Sequence, residues 1–279
     1  MRQCTTFKIG GNAEMLVTVN NIEELNIVLN IAKKYAKKLL VLGNGSNLLI
    51  NDYGVSGIVL TMSGEFKKIE IIDDTVIRCG SAVSLSSLCL FASRNNLSGL
   101  AFAYGIPGTT GGAAFMNAGA YGREMSHIVT SCEHISLNGE PGVSNAKDLN
   151  FAYRHSSYKE NKHIITNITF SLEPGSQEEI QSEMEQNMQK RREKQPLEFP
   201  SAGSVFKRPN GDYASRLIEQ CNLKGVSVGD AAVSEKHAGF IINKGNATCR
   251  DVMDLIHLIQ HTVKKQTGFY LETEIILIE

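Results

Sequence analysis

The sequence predicts an α+β fold, with helices and strands in alternation along 279 residues. Two observations favour this class. Amphipathic stretches with the spacing of a helix face recur throughout the chain, and short β-rich segments bounded by turn residues lie between them. With 42% apolar residues, the chain can bury a large core and can fold as more than one compact unit.

Helices are predicted where apolar residues repeat at helical spacing or where a capping pair opens a run. In residues 21–38, acidic side chains come early and lysines come late, as the helix dipole favours. Ser176 with Glu179, and Thr248 with Asp251, are capping pairs. The predicted helices cover residues 21–38, 84–96, 176–194, 214–221 and 250–265.

Strands are predicted in short apolar runs that end at turn residues. Asp73-Asp74 separates two such runs and Asn138-Gly139 follows another, so both places predict hairpins. Proline and glycine around Pro174 mark the clearest domain boundary. The predicted strands cover residues 39–42, 48–50, 58–60, 69–72, 76–79, 135–137, 164–172, 239–242 and 270–278.

Composition limits the possible partners. Lys and Arg number 28 against 29 for Asp and Glu, so the chain lacks the field of one sign that attracts nucleic acid or an anionic membrane. We find no signal-peptide pattern and no apolar run long enough to span a bilayer, which predicts a cytoplasmic protein. The six cysteines are dispersed without a Cys-x-x-Cys pair, as expected of reduced thiols.

One pair of histidines raises the alternative of a metal site. His257 and His261 stand four residues apart in a predicted helix, a spacing that lets two imidazoles meet one metal ion. However, Leu258 follows His257 where a zinc-protease helix carries glutamate, and the sequence offers no evident third ligand. We therefore expect a solvent-exposed helix face and no metal.

Two glycine-rich loops carry the strongest functional signal. Glycine tolerates positive φ and lets a ligand approach the backbone, so clustered glycines beside strand ends are typical of a loop wrapped on a ligand. The loops are Gly43-Asn44-Gly45-Ser46-Asn47 and Gly105-Ile106-Pro107-Gly108-Thr109-Thr110-Gly111-Gly112-Ala113, the second continuing to Gly122.

The loops differ from the common phosphate-binding motifs. Leu48 takes the place of the third glycine of a dinucleotide fingerprint, and the chain contains no Gly-Lys-Ser or Gly-Lys-Thr. Neither loop contains Lys or Arg, so any phosphate would be held by N–H groups and by hydroxyls such as Ser46 and Thr109. Tight turns alone would account for the first loop, whereas the uncharged second loop would make a poor surface segment.

The motifs, taken in order, resemble those of the UDP-N-acetylenolpyruvoylglucosamine reductase family, and the similarity covers nearly the whole chain. Besides the loops, the matching segments are Thr5–Gly11, Tyr153–Ser156, Ser201–Lys207 and Leu271–Ile275. The resemblance implies a PCMH or vanillyl-alcohol-oxidase-like FAD-binding unit of two α+β subdomains, residues 1–62 and 63–174, followed by a smaller substrate-binding domain at 175–279. It also implies a subtype that lacks an inserted substrate loop.

The same resemblance implies the reaction. FAD is the expected cofactor and NADPH the electron source for the reduction of UDP-N-acetylglucosamine enolpyruvate to UDP-N-acetylmuramate in peptidoglycan precursor synthesis. The protein is expected to be a monomer. The implied cofactor contacts are Gly43, Asn44, Gly45, Ser46, Asn47, Gly105, Ile106, Pro107, Gly108, Thr109, Gly112, Ala113, Asn117 and Gly119.

Three matched residues would carry the chemistry, which is a conjugate addition to an enol ether attached to a carboxylate. Arg154 would stabilise the growing charge, because a guanidinium grips both carboxylate oxygens. Glu274 would share that carboxylate through one proton, which would explain an acid within the apolar terminal run. Ser204 would donate the proton to the α carbon. Without the resemblance, these residues would be interpreted as a surface arginine, an ion-pair partner and a turn hydroxyl.

Substrate contacts are implied at four further positions, Tyr153, Lys207, Arg208 and His237. Lys207 would meet the diphosphate as a point charge, and His237 is another candidate contact. Arg208 departs from the family pattern, because relatives often carry asparagine there.

Two alternatives remain open from the sequence. One is an FAD oxidase or dehydrogenase of the same wider flavin fold, although the two loops lack the His or Cys that often attaches flavin covalently. The other is a non-catalytic flavin-binding protein, which the joint presence of Arg154, Ser204 and Glu274 disfavours.

Overall fold

The computed structural model describes all 279 residues, Met1–Glu279, and its mixture of helices and sheets confirms the α+β class. The α-helices are α1 Ile22–Lys34, α2 Leu85–Arg94, α3 Thr110–Met116, α4 Tyr158–Asn161, α5 Gln177–Lys194, α6 Ala214–Gln220 and α7 Cys249–Thr267. None of them combines the length and the apolar character that a bilayer crossing demands.

The strands are short, and nine of the eighteen overlap the predicted runs. They are β1 Ala13–Val19, β2 Leu39–Val41, β3 Leu48–Ile50, β4 Val55–Met62, β5 Ile69–Asp73, β6 Val76–Gly80, β7 Leu97–Ser98, β8 Gly119–Ala120, β9 Arg123–Glu124, β10 Val129–Ile135, β11 Pro141–Asn145, β12 Ile164–Ser171, β13 Glu173–Pro174, β14 Ser201–Ser204, β15 Ser227–Val228, β16 Ala231–Val233, β17 Phe240–Asn243 and β18 Ile276–Ile278.

Several predicted boundaries were wrong, and three of them have a clear physical reason. The first helix ends at Lys34 because Ala36 adopts a left-handed φ of 48°. Of the strand predicted at 135–137, only Ile135 is in a strand: it ends β10, which begins at Val129 and pairs with β11 in the expected hairpin, and the next two residues belong to the turn. The predicted strand at 270–278 is limited to Ile276–Ile278, because the residues before it join the sheet only through an isolated bridge at Thr273.

Contacts divide the chain into two compact units. The terminal unit contains residues 1–14, 45–56 and 191–279, and the central unit contains residues 15–44 and 57–190. The turn at Pro174 lies inside the central unit, where β13 pairs with β7. The three-domain division stays a prediction.

The central unit is built on an antiparallel sheet with strand order β11-β10-β12-β6-β5. Side chains on β6 alternate, so Ile77 and Cys79 enter the core while Arg78 lies on the opposite face and pairs with Glu133. Helix α2, capped by Ser84, packs Leu85 and neighbouring apolar residues into the same core. Burial raises the pKa of the Cys79 thiol to about 12, which fits an unreactive, reduced cysteine.

The terminal unit pairs a four-stranded sheet, order β14-β17-β16-β15, with helices α6 and α7 around one core. The buried Asn243 amide donates to Phe7 O at 3.2 Å and accepts from Gly245 N and Ala247 N. Strand β3 pairs in parallel with β18. The predicted capping box of Thr248 and Asp251 opens α7, and His257 and His261 lie exposed on that helix, as expected.

Candidate functional site

The second glycine loop is fixed to the core of the central unit before it enters α3. Leu85 N donates to Gly108 O at 3.0 Å, and Thr110 N donates to Val83 O at 2.9 Å. The Thr110 hydroxyl is fully buried and donates to Gly80 O at 2.7 Å. These bonds bracket Thr109 and hold the loop in one conformation without any charged side chain.

Within the same unit, the start of the first loop touches the second. A Cβ on Gly43 would lie only 2.7 Å from Thr109 Oγ1, so a larger side chain would force the two segments apart. The Asn44 amide reaches Pro107 O at 3.4 Å. Gly43, Asn44, Pro107, Gly108 and Thr109 are therefore brought together, as the resemblance implies.

The backbone N–H groups of these segments are suited to bind a pyrophosphate without charged side chains. The N–H groups of Gly43 and Thr109 donate to no atom of the chain, and Gly43 is exposed. Gly112 is also exposed, with only Thr109 Oγ1 near the place a Cβ would take. Free N–H groups beside glycines that leave the backbone accessible are what a bound dinucleotide requires, so the residues present fit FAD.

Three other predicted cofactor contacts already have a role inside the fold. Ala113 is buried in the core of the central unit. A Cβ on Gly119 would lie 2.6 Å from Arg123 O, so this glycine permits the tight β8–β9 hairpin. Asn117 is fully buried, and its amide bonds to two other segments of the same unit. Direct contact of these residues with a cofactor stays a prediction.

Arg154 lies in a tight turn of the central unit. Ala152 N donates to His155 O at 3.2 Å and His155 N donates to Ala152 O at 3.0 Å, leaving Tyr153 and Arg154 at the tip. Arg154 adopts a left-handed φ of 55°, which costs a non-glycine residue about 1–2 kcal/mol. Its guanidinium lies 5.1 Å from the centre of the exposed Tyr153 ring. The strained backbone therefore presents an aromatic ring and a cation side by side.

Ser204 and Glu274 come together in the terminal unit through the main chain. Val205 N donates to Gly239 O at 2.9 Å, and Glu274 N donates to Val205 O at 2.7 Å. The segment that follows β14 thus lies between β17 and the C-terminal segment. The Ser204 hydroxyl donates to Phe206 O at 3.3 Å, a long bond that leaves it available to another acceptor.

The first-loop residues Gly45, Ser46 and Asn47 also belong to the terminal unit. Asn47 Nδ2 donates to Glu274 O at 3.1 Å and Ile276 N donates to Asn47 O at 2.9 Å. A Cβ on Gly45 would lie 2.5 Å from Cys4 O, so the loop packs closely on the N-terminal segment. Asn47 therefore supports the backbone of Glu274, a role that sequence reasoning did not predict.

His237 lies beside Ser204. A Cβ on Gly239 would lie 3.0 Å from the His237 ring and 3.3 Å from Ser204 Oγ, so glycine lets the two side chains share this corner. Gly239 N donates to His237 Nδ1 at 3.1 Å, which leaves the ring proton on Nε2. Burial, assisted by the nearby Lys224, holds the pKa of His237 below its usual value. The imidazole is therefore a neutral hydrogen-bond donor.

Lys207 and Arg208 each contact another side chain of the terminal unit. Lys207 Nζ lies 3.0 Å from Glu272 Oε2, and both groups face solvent. The Arg208 guanidinium lies 3.8 Å from the centre of the Tyr213 ring. A bound diphosphate would compete with Glu272 for Lys207.

The structure thus brings Ser204, Glu274 and His237 into one part of the terminal unit. Arg154 and Tyr153 belong to the central unit. Joint action of all five on one substrate stays a prediction. Sequence reasoning gave no role to Ser156, whose hydroxyl donates to Phe115 O at 2.7 Å, although it stands in the matched Tyr153–Ser156 motif.

Comparisons with known proteins define the class. Residues 13–141 match the family profile of an FAD binding domain, and residues 195–278 match that of the UDP-N-acetylenolpyruvoylglucosamine reductase C-terminal domain. The order of the two matches is that of a flavoprotein with a C-terminal domain particular to these reductases.

Whole-chain relatives carry the same name. The UDP-N-acetylenolpyruvoylglucosamine reductase of Clostridium novyi (strain NT) is 43% identical, over 100% of this chain and 90% of its own. That of Clostridium kluyveri (strain NBRC 12016) is 44% identical, over 100% and 91%. The crystal structure of the Thermus caldophilus reductase superposes with a TM-score of 0.86 at 35% identity, covering 100% of this chain and 97% of that one. The chain belongs to the UDP-N-acetylenolpyruvoylglucosamine reductase family.

Proposed function

We propose that this chain reduces UDP-N-acetylglucosamine enolpyruvate to UDP-N-acetylmuramate with electrons from NADPH, using FAD, in peptidoglycan precursor synthesis. One observation carries the proposal: relatives of that name match the chain from end to end at 43–44% identity. The pairing of Ser204 with Glu274 in one backbone ladder supports it, because both groups would act on the same end of the substrate.

The cofactor would be held mainly by uncharged backbone donors. Gly43 and Thr109, with the accessible Gly112, would meet the pyrophosphate of FAD, and Gly45 to Asn47 would extend that contact. When bound, FAD supplies two-electron chemistry, taking a hydride equivalent from NADPH and delivering it to the terminal carbon of the enol ether. The balance is one hydride from NADPH and one proton from an acid, added across one C=C bond.

Arg154 would stabilise the charge that this addition creates. As the terminal carbon gains a hydride, negative charge spreads onto the substrate carboxylate, and a guanidinium fork bonds both of its oxygens more strongly as the charge grows. The left-handed turn fixes the backbone of Arg154 before the substrate arrives, so less entropy is lost on binding. Glu274 would hold the same carboxylate through one shared proton.

Ser204 would complete the addition by donating its hydroxyl proton to the α carbon. Serine is a weak acid, so it can protonate only a strongly basic, enolate-like carbon, and it must regain its proton from solvent. His237 lies beside it as a neutral Nε2–H donor, suited to orient a polar group of the substrate rather than to neutralise charge.

Anaerobic addition of NADPH, then of substrate, to the flavin-loaded protein tests the proposal. We expect NADPH to bleach the visible flavin band and UDP-N-acetylglucosamine enolpyruvate to restore it, with a product heavier by two hydrogens. UDP-N-acetylglucosamine, which lacks the enolpyruvyl group, is the control and should restore nothing. Bleaching without restoration by either compound would favour another FAD oxidoreductase, and a bound flavin that NADPH never bleaches would favour a non-catalytic flavoprotein. Absence of flavin binding would contradict all three.

Cytoplasmic location, a monomeric state and the absence of nucleic-acid or membrane partners are further parts of the proposal. Cell fractionation and light scattering would check the first two.

A further inference from the structure

We propose that Asn117 is a positioning residue for Arg154, acting through the backbone of the Arg154 turn rather than by contact with the cofactor. The inference rests on the proposed function only for the role of Arg154. The placement of Asn117 itself is independent of it.

The Asn117 side chain joins two segments to the end of α3. Its Nδ2 donates to Ala152 O at 3.0 Å, and its Oδ1 accepts from Ser126 N at 2.9 Å. One partner is a carbonyl and the other an N–H, so only a side chain with both a donor and an acceptor satisfies them. The residue is fully buried, and leaving these backbone groups without partners there would be costly.

The backbone of Asn117 explains why the amide reaches both partners. Asn117 is the left-handed C-cap of α3, with φ 44°, and its N–H bonds back to Ala114 O. Asparagine is one of the few residues other than glycine that adopt this conformation readily. The fold thus combines a helix terminator with a bridging amide in one residue.

The bridged carbonyl belongs to the turn that presents Arg154. Ala152 exchanges two backbone hydrogen bonds with His155, and Arg154 is at the tip with its left-handed φ. A strained conformation persists only where the surrounding structure fixes it. The amide of Asn117 is one such constraint, because it holds Ala152 O, which also accepts from His155 N.

A second tether connects the other side of the turn to the same helix. Ser156 is fully buried, and its hydroxyl donates to Phe115 O at 2.7 Å. Both ends of the turn are therefore bonded to α3, the helix that the second glycine loop leads into. The loop expected to hold the cofactor and the turn that presents Arg154 share one support.

The test is Asn117→Gly, which keeps the left-handed conformation and removes both bridges. Flavin reoxidation by UDP-N-acetylglucosamine enolpyruvate should slow about 30- to 100-fold, as a small misplacement of a positioned group does. Flavin reduction by NADPH and the FAD dissociation constant should stay within about threefold of the values of the unsubstituted protein, because on this proposal the Asn117 amide serves the turn of Arg154 and not the cofactor.

Asn96→Gly is the matched control. Asn96 has a φ of 56° after α2 in the same unit, is exposed, and makes no side-chain hydrogen bond. It should leave both half-reactions unchanged. Another outcome is that Asn117→Gly binds FAD more weakly and, once saturated with FAD, is reoxidised by the substrate at the normal rate. That result would overturn the proposal and show that Asn117 contacts the cofactor. Equal loss in both half-reactions would overturn it in favour of a general structural role.

Hydrogen exchange gives a measurement that needs no substrate. The Ala152 and His155 amides should exchange at least about tenfold faster in Asn117→Gly than in Asn96→Gly, because the turn loses an anchor. If Asn117→Gly does not fold, Ser156→Ala should show the same pattern to a smaller degree. Unchanged amide exchange in both variants would contradict the claim that Asn117 and Ser156 anchor the turn of Arg154. Failure of the substrate to reoxidise the parent protein, with the exchange result intact, would count against the proposed function alone.

Discussion

Arg154 and the Ser204–Glu274 pair are held in position in different ways. In the terminal unit, Ser204 and Glu274 lie in a ladder of main-chain bonds, in which Val205 joins Gly239 on one side and Glu274 on the other. In the central unit, Arg154 occupies a left-handed turn whose anchors are the side chains of Asn117 and Ser156. A backbone ladder survives most changes in side chain, whereas a strained turn depends on particular residues. Mutations around Arg154 should therefore be tolerated less well than mutations around Ser204.

The largest expected effect is that of replacing Arg154 in the central unit. Arg154→Ala should slow flavin reoxidation by the substrate about 10³-fold, because nothing else in the turn replaces the guanidinium fork. Arg154→Lys should recover only part of the loss, since an ammonium cannot bond both carboxylate oxygens in the same way. Stopped-flow absorbance would measure both. Arg94→Ala, an exposed arginine at the end of α2, is the control. Full recovery by lysine would show that charge alone suffices.

A buried histidine in the central unit, His134, and a half-buried one in the terminal unit, His237, predict the pH dependence of stability. Burial lowers the pKa of His134, with a further contribution from stacked His163, and burial lowers that of His237. A histidine with a lowered folded-state pKa binds fewer protons when folded, so unfolding is favoured as the pH falls below about 6.5, the unfolded value. Stability should therefore be full above that pH and decline below it.

His134→Gln sharpens this prediction, because glutamine cannot titrate but can still bond to the Tyr158 hydroxyl, which lies 2.9 Å from His134 Nδ1. The decline below pH 6.5 should become shallower by up to about 1.4 kcal/mol per pH unit. Urea unfolding at a series of pH values would measure it. An unchanged slope would contradict a neutral, buried His134.

The smallest expected effect concerns an exposed ion pair of the terminal unit. Glu272→Gln removes the partner of Lys207 and should change the free energy of unfolding by less than about 1 kcal/mol, because exposed pairs are screened by water. If Lys207 meets the diphosphate, the freed ammonium should lower the KM for the sugar nucleotide slightly, whereas Lys207→Gln should raise it. A higher KM in Glu272→Gln would contradict a contact between Lys207 and the diphosphate and would show that Lys207 acts through its ion pair with Glu272.

Local patterns predicted most of the secondary structure, because capping and apolar spacing are encoded by neighbouring residues. The Thr248–Asp251 box and the hairpin at Asn138-Gly139 are examples. The terminal strand was overestimated because an apolar run does not reveal whether a partner strand lies beside it. In the structure, only Ile276–Ile278 has one, in β3.

The site was less accessible to local reasoning. The left-handed φ of Arg154 has no local signal, since glycine or asparagine would normally mark such a position. Its anchors are distant in sequence: Asn117 bonds to Ala152 from 35 positions away. The candidate chemistry of Arg154, Ser204 and Glu274 came from the motifs of the family rather than from spacing, because no periodic pattern connects residues in two different units.

The most direct measurement of the proposed chemistry compares the two half-reactions of Ser204→Ala by anaerobic stopped flow. Reduction of the flavin by NADPH should stay at the parent rate, whereas reoxidation by UDP-N-acetylglucosamine enolpyruvate should slow about 10²- to 10⁴-fold, the usual contribution of a positioned acid. Ser201→Ala, at the other end of β14, should change neither rate. Equal losses in both half-reactions, or reoxidation at the parent rate, would contradict proton donation by Ser204.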